Sequence, residues 1–271
     1  KDRLPIGDMD QINNFNSDDL KEFYQEWYRP NLMSIVAVGD FNTIEVERLI
    51  TKYFGNLKNP IHAKERNKYF IPKPESSYNI ITDPEQVTSS FSVKVPIESK
   101  EFQIQADYFE NFQNEIAYSI FYERMNDISK EINSPFEFAY IYESSLGEEN
   151  NNLELFVRPI DGKYLESIER IKKEYDRIQN YGFSKIEFDN LIVGYKSSLE
   201  DMYNNKNSEE TIDKLDYLMS FINSESVFIS TESYYNLSLS ILDKITLDDI
   251  NFATKNWFNK KNRTIIIQEP E

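Results

Sequence analysis

Apolar residues recur along the chain in two periods, and the change from one to the other outlines the elements. In 18–29, Leu20, Phe23, Tyr24 and Trp27 fall at i, i+3, i+4 and i+7, which predicts one helical stripe. Ser17 or Asp18 can cap this helix, and Asp18, Asp19 and Glu22 sit near the positive end of its dipole. Arg29-Pro30-Asn31 should stop it, because proline disfavours helical geometry in the residue before it. Met33 to Val38 reads as a buried β-branched strand turned by Gly39-Asp40. A helix over Thr43 to Tyr53 follows, with Gly55 placed to end it. Residues 1–15 show little periodicity and read as an incoming loop or short extended piece.

From Asn59 to Pro74 the composition shifts to prolines and charges, a linker signature. Beyond it, Tyr78–Thr82 and Val87–Val95 read as strands, and about Glu101–Glu131 as a long helix with Phe109, Phe112, Ile116, Ile120 and Met125 on its core face. Pro135–Ser144 and Leu153–Pro159 read as a hairpin turned at Gly147-Glu148-Glu149-Asn150. Helical patterns then cover Tyr164–Tyr181, 184–204, 208–223, 232–244 and 247–258, and Thr264–Gln268 is a last strand. Ser184 and Glu187 have capping-box spacing. Strands grouped with a hairpin and helices segregated from them predict an α+β fold, an antiparallel sheet with helices on one face.

One stretch occurs twice. At a constant offset of 230 residues, Asp18-Asp19-Leu20 aligns with Asp248-Asp249-Ile250, Trp27-Tyr28 with Trp257-Phe258, and Ser34-Ile35-Val36 with Thr264-Ile265-Ile266. That period far exceeds a solenoid unit and matches a large domain. The expectation is therefore two homologous domains: 1–58 as the C-terminal tail of the first, 59–75 as linker, and 76–271 as a complete second domain. On this reading the front of the first domain lies before Lys1, and the chain is a piece of a longer protein.

Composition narrows the partners more than the chemistry. Hydrophobic residues make up 39% and aromatics 14%, enough for a packed core, while the net charge of −17 argues against nucleic acid or an anionic membrane. No apolar run approaches the roughly 18 residues of a spanning helix. With no cysteine there is no disulfide framework or thiol nucleophile, and the compartment, periplasmic or cytoplasmic, stays open.

The chain has a single histidine, in His62-Ala63-Lys64-Glu65-Arg66. An inverted zinc motif is His-x-x-Glu-His on a helix, two histidines holding the metal and the glutamate acting as base. Here Arg66 replaces the second ligand and Pro60 precedes the segment, so His62 reads as a solvated linker residue. Glu148-Glu149 and Glu209-Glu210 read as solvated faces, and Gly7, Gly39, Gly55 and Gly147 as turns or caps. Trp27 and Trp257 read as core anchors. No catalytic, cofactor-binding or metal-binding residue is assigned.

Arg3-Leu4-Pro5-Ile6-Gly7, then Leu20, Phe23-Tyr24, Trp27-Tyr28-Arg29-Pro30-Asn31, Val38-Gly39-Asp40-Phe41 and Tyr53-Phe54-Gly55 carry a resemblance to the zinc-dependent insulinase and pitrilysin peptidases. It is dense over 3–57 and looser beyond, where Tyr181-Gly182-Phe183 before the helix from Ser184 fits the element order of the family's next domain. The resemblance implies a peptidase of repeated α+β domains closing over short unfolded peptides. It also implies zinc held by residues upstream of Lys1, so none of the family's ligands is carried onto this chain. Its implied partners are a peptide substrate and the remaining parts of the same polypeptide or a partner subunit. Two readings follow, a wall-forming piece of an active zinc endopeptidase or of a catalytically inactive, peptide-holding homologue; an unrelated acidic interaction module is the third.

Overall fold

The computed structural model describes residues 7–66, 75–98, 100–145, 151–224, 226–255, 257–258 and 262–271. Arg3 to Ile6, Lys68 to Pro74 and the turn Gly147 to Asn150 lie outside the described residues. Two compact units emerge: 1–67 with 210–223, and 68–209 with 224–271.

The first unit contains α1 (Met9–Asn14), α2 (Ser17–Trp27), α3 (Thr43–Phe54) and α7 (Thr211–Asn223). The expected second domain, 76–271, was continuous; this division assigns 210–223 to the other unit. Helix α1 corrects the expectation of a loop over 1–15. Its signal is local, since the Asp8 carboxylate accepts from the Gln11 N–H at 2.8 Å and caps the helix. Asn16 caps α2 in a reciprocal box with Asp19. The apolar stripe of α2 is nevertheless exposed at Leu20, Phe23 and Tyr24, and Trp27 is only partly buried, so it is no core anchor.

Met33–Val38 corrects a second expectation. Among the described residues no strand forms there, and Met33 and Ile35 are exposed. β-branched residues favour extended backbone, but a strand exists only through its ladder, and this run has none. Gly55 does end α3, in right-handed geometry (φ −64°). A Cβ there would come within 2.5 Å of the Thr51 carbonyl oxygen, so close approach accounts for the glycine.

The second unit is built on a five-stranded sheet of β1 (Ser77–Asp83), β2 (Ser90–Ile97), β3 (Phe136–Ser145), β4 (Asn151–Pro159) and β5 (Thr264–Pro270). Its order is β1-β5-β2-β4-β3. The pairs β5–β2, β2–β4 and β4–β3 are antiparallel; β1 adds one parallel pair at the edge. Register puts Phe91, Val95, Leu155, Val157, Ile141 and Ile267 on one face, where they are buried. Against that face packs α4 (Gln105–Ser129), buried along Phe112, Ile116, Ile120 and Met125. Its start is fixed by the Asp107 carboxylate, which accepts from the backbone N–H groups of Gln103 and Ile104 at 2.8 Å each.

Helix α5 (Tyr164–Tyr181) joins the same layer, with Tyr164 edge-on to Phe91 at 5.5 Å. It ends at Gly182, whose φ of +71° is costly for other residues. Then come α6 (Lys185–Asn205), α8 (Thr231–Leu242) and α9 (Leu247–Thr254). The Ser184–Glu187 capping box forms as its spacing predicts. Helix α9 is shorter than expected, closing at Thr254, and Phe258 turns away with φ +49°. Trp257 is the core anchor its pattern predicts, 3% exposed and packed on Phe121, Tyr118 and Phe183.

Candidate peptide surface

Alternation along a strand sends every second side chain to the far face of the sheet. In β3 those positions are Phe138, Tyr140 and Tyr142, and the β4 register places Arg158, Phe156 and Glu154 opposite them. The rings form a continuous ladder. Phe138 stacks on Phe156 with centroids 6.0 Å apart, Tyr140 meets Phe156 at a tilt with centroids 5.5 Å apart, and Tyr142 lies 5.3 Å from Tyr140. The Arg158 guanidinium covers the outer ring, 5.6 Å from the Phe138 centroid, and donates to Thr88 Oγ1 at 2.7 Å. None of the four rings belongs to the core shared with the helices, and all stay partly accessible.

Next to the ladder lies a buried charge. Glu154 is 3% exposed, and Lys94 Nζ approaches its Oε2 at 2.9 Å. The buried carboxylate is compensated by the partly exposed Lys94, so removing Lys94 leaves an uncompensated buried charge. Burial pushes the Tyr142 phenol well above its ordinary range, and the hydrogen bond to Glu154 and its negative charge push it further. Tyr142 therefore stays protonated at neutral pH. Among the described residues β3 is an edge strand of this sheet, and its outer side is a place where a strand can add. The arrangement offers π faces, a cation and a sheet edge to one extended chain.

The residues weighed for metal or catalytic chemistry lie elsewhere. His62 is in an exposed turn. Around it the chain makes structural ties: Arg29, buried, donates to the Lys64 carbonyl, Lys64 Nζ pairs with Glu26 at 2.6 Å, and the Asn59 side chain accepts from the Asn31 N–H at 3.0 Å. Glu209 and Glu210 are exposed, and Glu148-Glu149 lies outside the described residues. Among the described residues no three His, Asp or Glu side chains are grouped to hold a metal. No helix of the described residues is long and apolar enough to cross a membrane. Alternation of Phe138, Tyr140 and Tyr142 is visible in the sequence, whereas the partners that complete the ladder, Phe156 and Arg158, depend on register.

Comparison with known proteins agrees with this architecture. The chain is 26% identical over 271 residues to the probable zinc protease PqqL of Haemophilus influenzae, covering 99% of this chain and 29% of that protein. It is 24% identical over 256 residues to the probable zinc protease PqqL of Escherichia coli, covering 92% of this chain and 27% of the relative. The crystal structure of the periplasmic protease PqqL from Escherichia coli superposes with a TM-score of 0.88 at 20% identity, over 99% of this chain and 30% of the other. The chain thus spans under a third of the length of these relatives. The profile of the peptidase M16 inactive domain matches residues 14–193, and the chain belongs to this family of insulinase-type zinc proteases.

Proposed function

We propose that this chain is the non-catalytic part of a zinc metalloendopeptidase, forming one wall of the chamber that encloses a peptide. The observation that carries the reading is the division of the sheet: helices cover one face, and the other presents the Phe138–Tyr140–Phe156 ladder beside the edge strand β3. An extended peptide can add to that edge through its backbone while its side chains rest on the rings. Zinc belongs, on this proposal, to the parent protein and to residues outside this chain. Residues 1–58 are the tail of the catalytic-type domain, consistent with the exposed apolar stripe of α2. The net charge of −17 would steer basic peptides toward the protein.

The test compares the full-length parent with the 271-residue chain. The parent is expected to cleave a quenched fluorogenic peptide and to lose that activity to a chelator, while the chain alone leaves the peptide intact. Tyr140→Ala in the parent should raise KM several-fold with little change in kcat, because it removes contact area common to ground and transition states. Cleavage by the chain alone, or an unchanged KM, counts against the proposal. The inactive, peptide-holding alternative is separated by sequence: loss of His-x-x-Glu-His upstream of Lys1 in the parent would replace the first reading with the second.

A further inference from the structure

The helical layer of the second unit holds a second feature, made of side chains that take no part in the sheet surface. The C-terminal half of α4, the middle of α5 and the first half of α6 enclose a cleft of about 750 Å³. Its size is within the roughly 300–1,000 Å³ typical of small-ligand pockets. Arg124, Arg170, Glu174, Arg177, Glu187 and Gly194 line it, with Glu123, Asp127 and Glu131 at the rim.

Three buried atoms there lack a hydrogen-bond partner: Arg124 Nη1, Arg170 Nε and Glu174 Oε2. The Arg124 side chain is only 10% exposed. It gives Nε and Nη2 to Glu187 at 2.8 and 2.9 Å, its plane lies over the Phe183 ring at 5.1 Å, and Nη1 has no partner. Glu174 has a side chain only 5% exposed, and its Oε2 has no partner either. Arg170 and Arg177 stand 3.6 and 3.7 Å from that carboxylate, near enough for charge attraction and too far for good hydrogen bonds. Buried polar groups are normally satisfied, so open arginine donors and an open carboxylate acceptor in the same cleft ask for a ligand with both complements.

Gly194 adds an independent indication. It lies inside α6, where glycine is less stable than alanine, yet a Cβ there would meet nothing within 4 Å. Packing within the chain does not require the glycine. The space above it is the cleft itself.

The geometry points to a site for a short peptide with free termini: its carboxylate on Arg124 Nη1, its ammonium on Glu174 Oε2 and its backbone over Gly194. A simple anion such as phosphate fits worse, because it can accept from Arg124 Nη1 but brings no ammonium for Glu174 Oε2. A carboxylate on an arginine is a strong charge-assisted contact, and a terminal ammonium supplies the donor that Glu174 lacks.

The probe is tetraglycine, titrated into the 271-residue chain by calorimetry beside N-acetyltetraglycine and tetraglycine amide. Tetraglycine should bind, and blocking either terminus should weaken it at least tenfold. Glu174→Gln keeps the shape of the cleft and should bring free and N-acetylated peptide to equal affinity. Gly194→Phe fills the space without removing any bond and should abolish binding with an unchanged circular dichroism spectrum. No heat with tetraglycine, equal binding of all three peptides, or undiminished binding to Gly194→Phe overturns the proposal. If Gly194→Phe fails to fold, the Glu174→Gln comparison decides alone. Peptidase activity plays no part in the readout, so this site and the proposed function fail separately.

Discussion

The repeated stretch appears once in each unit, and the two copies share their local structure while differing in burial. Asn16 and Thr246 are equivalent, and both cap a helix through a reciprocal box, with Asp19 and Asp249. Beyond the cap they diverge. Leu20 is 57% exposed where Ile250 is fully buried, and Tyr28 is 57% exposed where Phe258 is 7%. Met33–Val38 has no ladder, whereas β5 lies between β1 and β2 and pairs with both. Helix and cap are written in a few neighbouring residues and form in either setting. Core position and strand pairing are supplied by surroundings that the repeat does not contain.

The largest expected consequence is at the paired tryptophans. Trp257→Ala removes a ring enclosed by Phe121, Tyr118 and Phe183, and should cost about 3–5 kcal/mol in urea denaturation. Trp27→Ala removes a partly exposed ring with the Arg29 guanidinium 5.9 Å from its centroid, and should cost roughly 1 kcal/mol. Equal losses would break the comparison. A smaller effect tests how the second copy is tied down. The Asn251 side-chain oxygen accepts from the Phe183 N–H at 2.7 Å, while its counterpart Lys21 pairs with Asp18 on its own helix, at 2.9 Å. A Cβ on Gly182 would come within 2.5 Å of the Asn251 side chain, and its backbone sits at φ +71°. Gly182→Ala should therefore cost about 1–3 kcal/mol, measured by thermal denaturation. A neutral result would mean that the α5–α6 corner is not held by Asn251.

Local signals account for what was legible. Helix α5 runs from Tyr164 to Tyr181 as its period predicts, the hairpin of β3 and β4 forms, and Ser184 caps α6 with Glu187. Helix α1 was legible too, in Asp8 three residues before Gln11, but its lack of an apolar stripe hid it. Met33–Val38 reads as a strand and forms none, because β-branched composition reports a preference for extended backbone and says nothing of a partner. The aromatic ladder was half legible, since alternation gives Phe138, Tyr140 and Tyr142 but not Phe156. The cleft was not legible at all. Arg124, Glu174 and Glu187 are brought together only by packing three helices, and no spacing in sequence encodes that.

The smallest expected effect sharpens the contrast between a cap that is local and one tied to another helix. Ser184–Glu187 is the same box as Asn16–Asp19, but its carboxylate also receives the bidentate Arg124 from α4. Burial alone would raise the Glu187 carboxyl; hydrogen bonds from Ser184 and the Arg124 guanidinium outweigh it, and the net direction is down. A folded-state value below the unfolded value of about 4.3 means that Glu187 binds its proton less readily when folded. Its contribution is therefore complete above about pH 4.3 and disappears as pH falls through the lower, folded value. Glu187→Gln should cost roughly 1 kcal/mol at pH 7 and clearly less at pH 3, in urea titrations at both values. The wild-type chain would lose that increment on acidification, and the variant would not. A penalty of the same size at both pH values would mean that the charge on Glu187 adds nothing to the cap, and that the link from α4 to the start of α6 is held by packing alone.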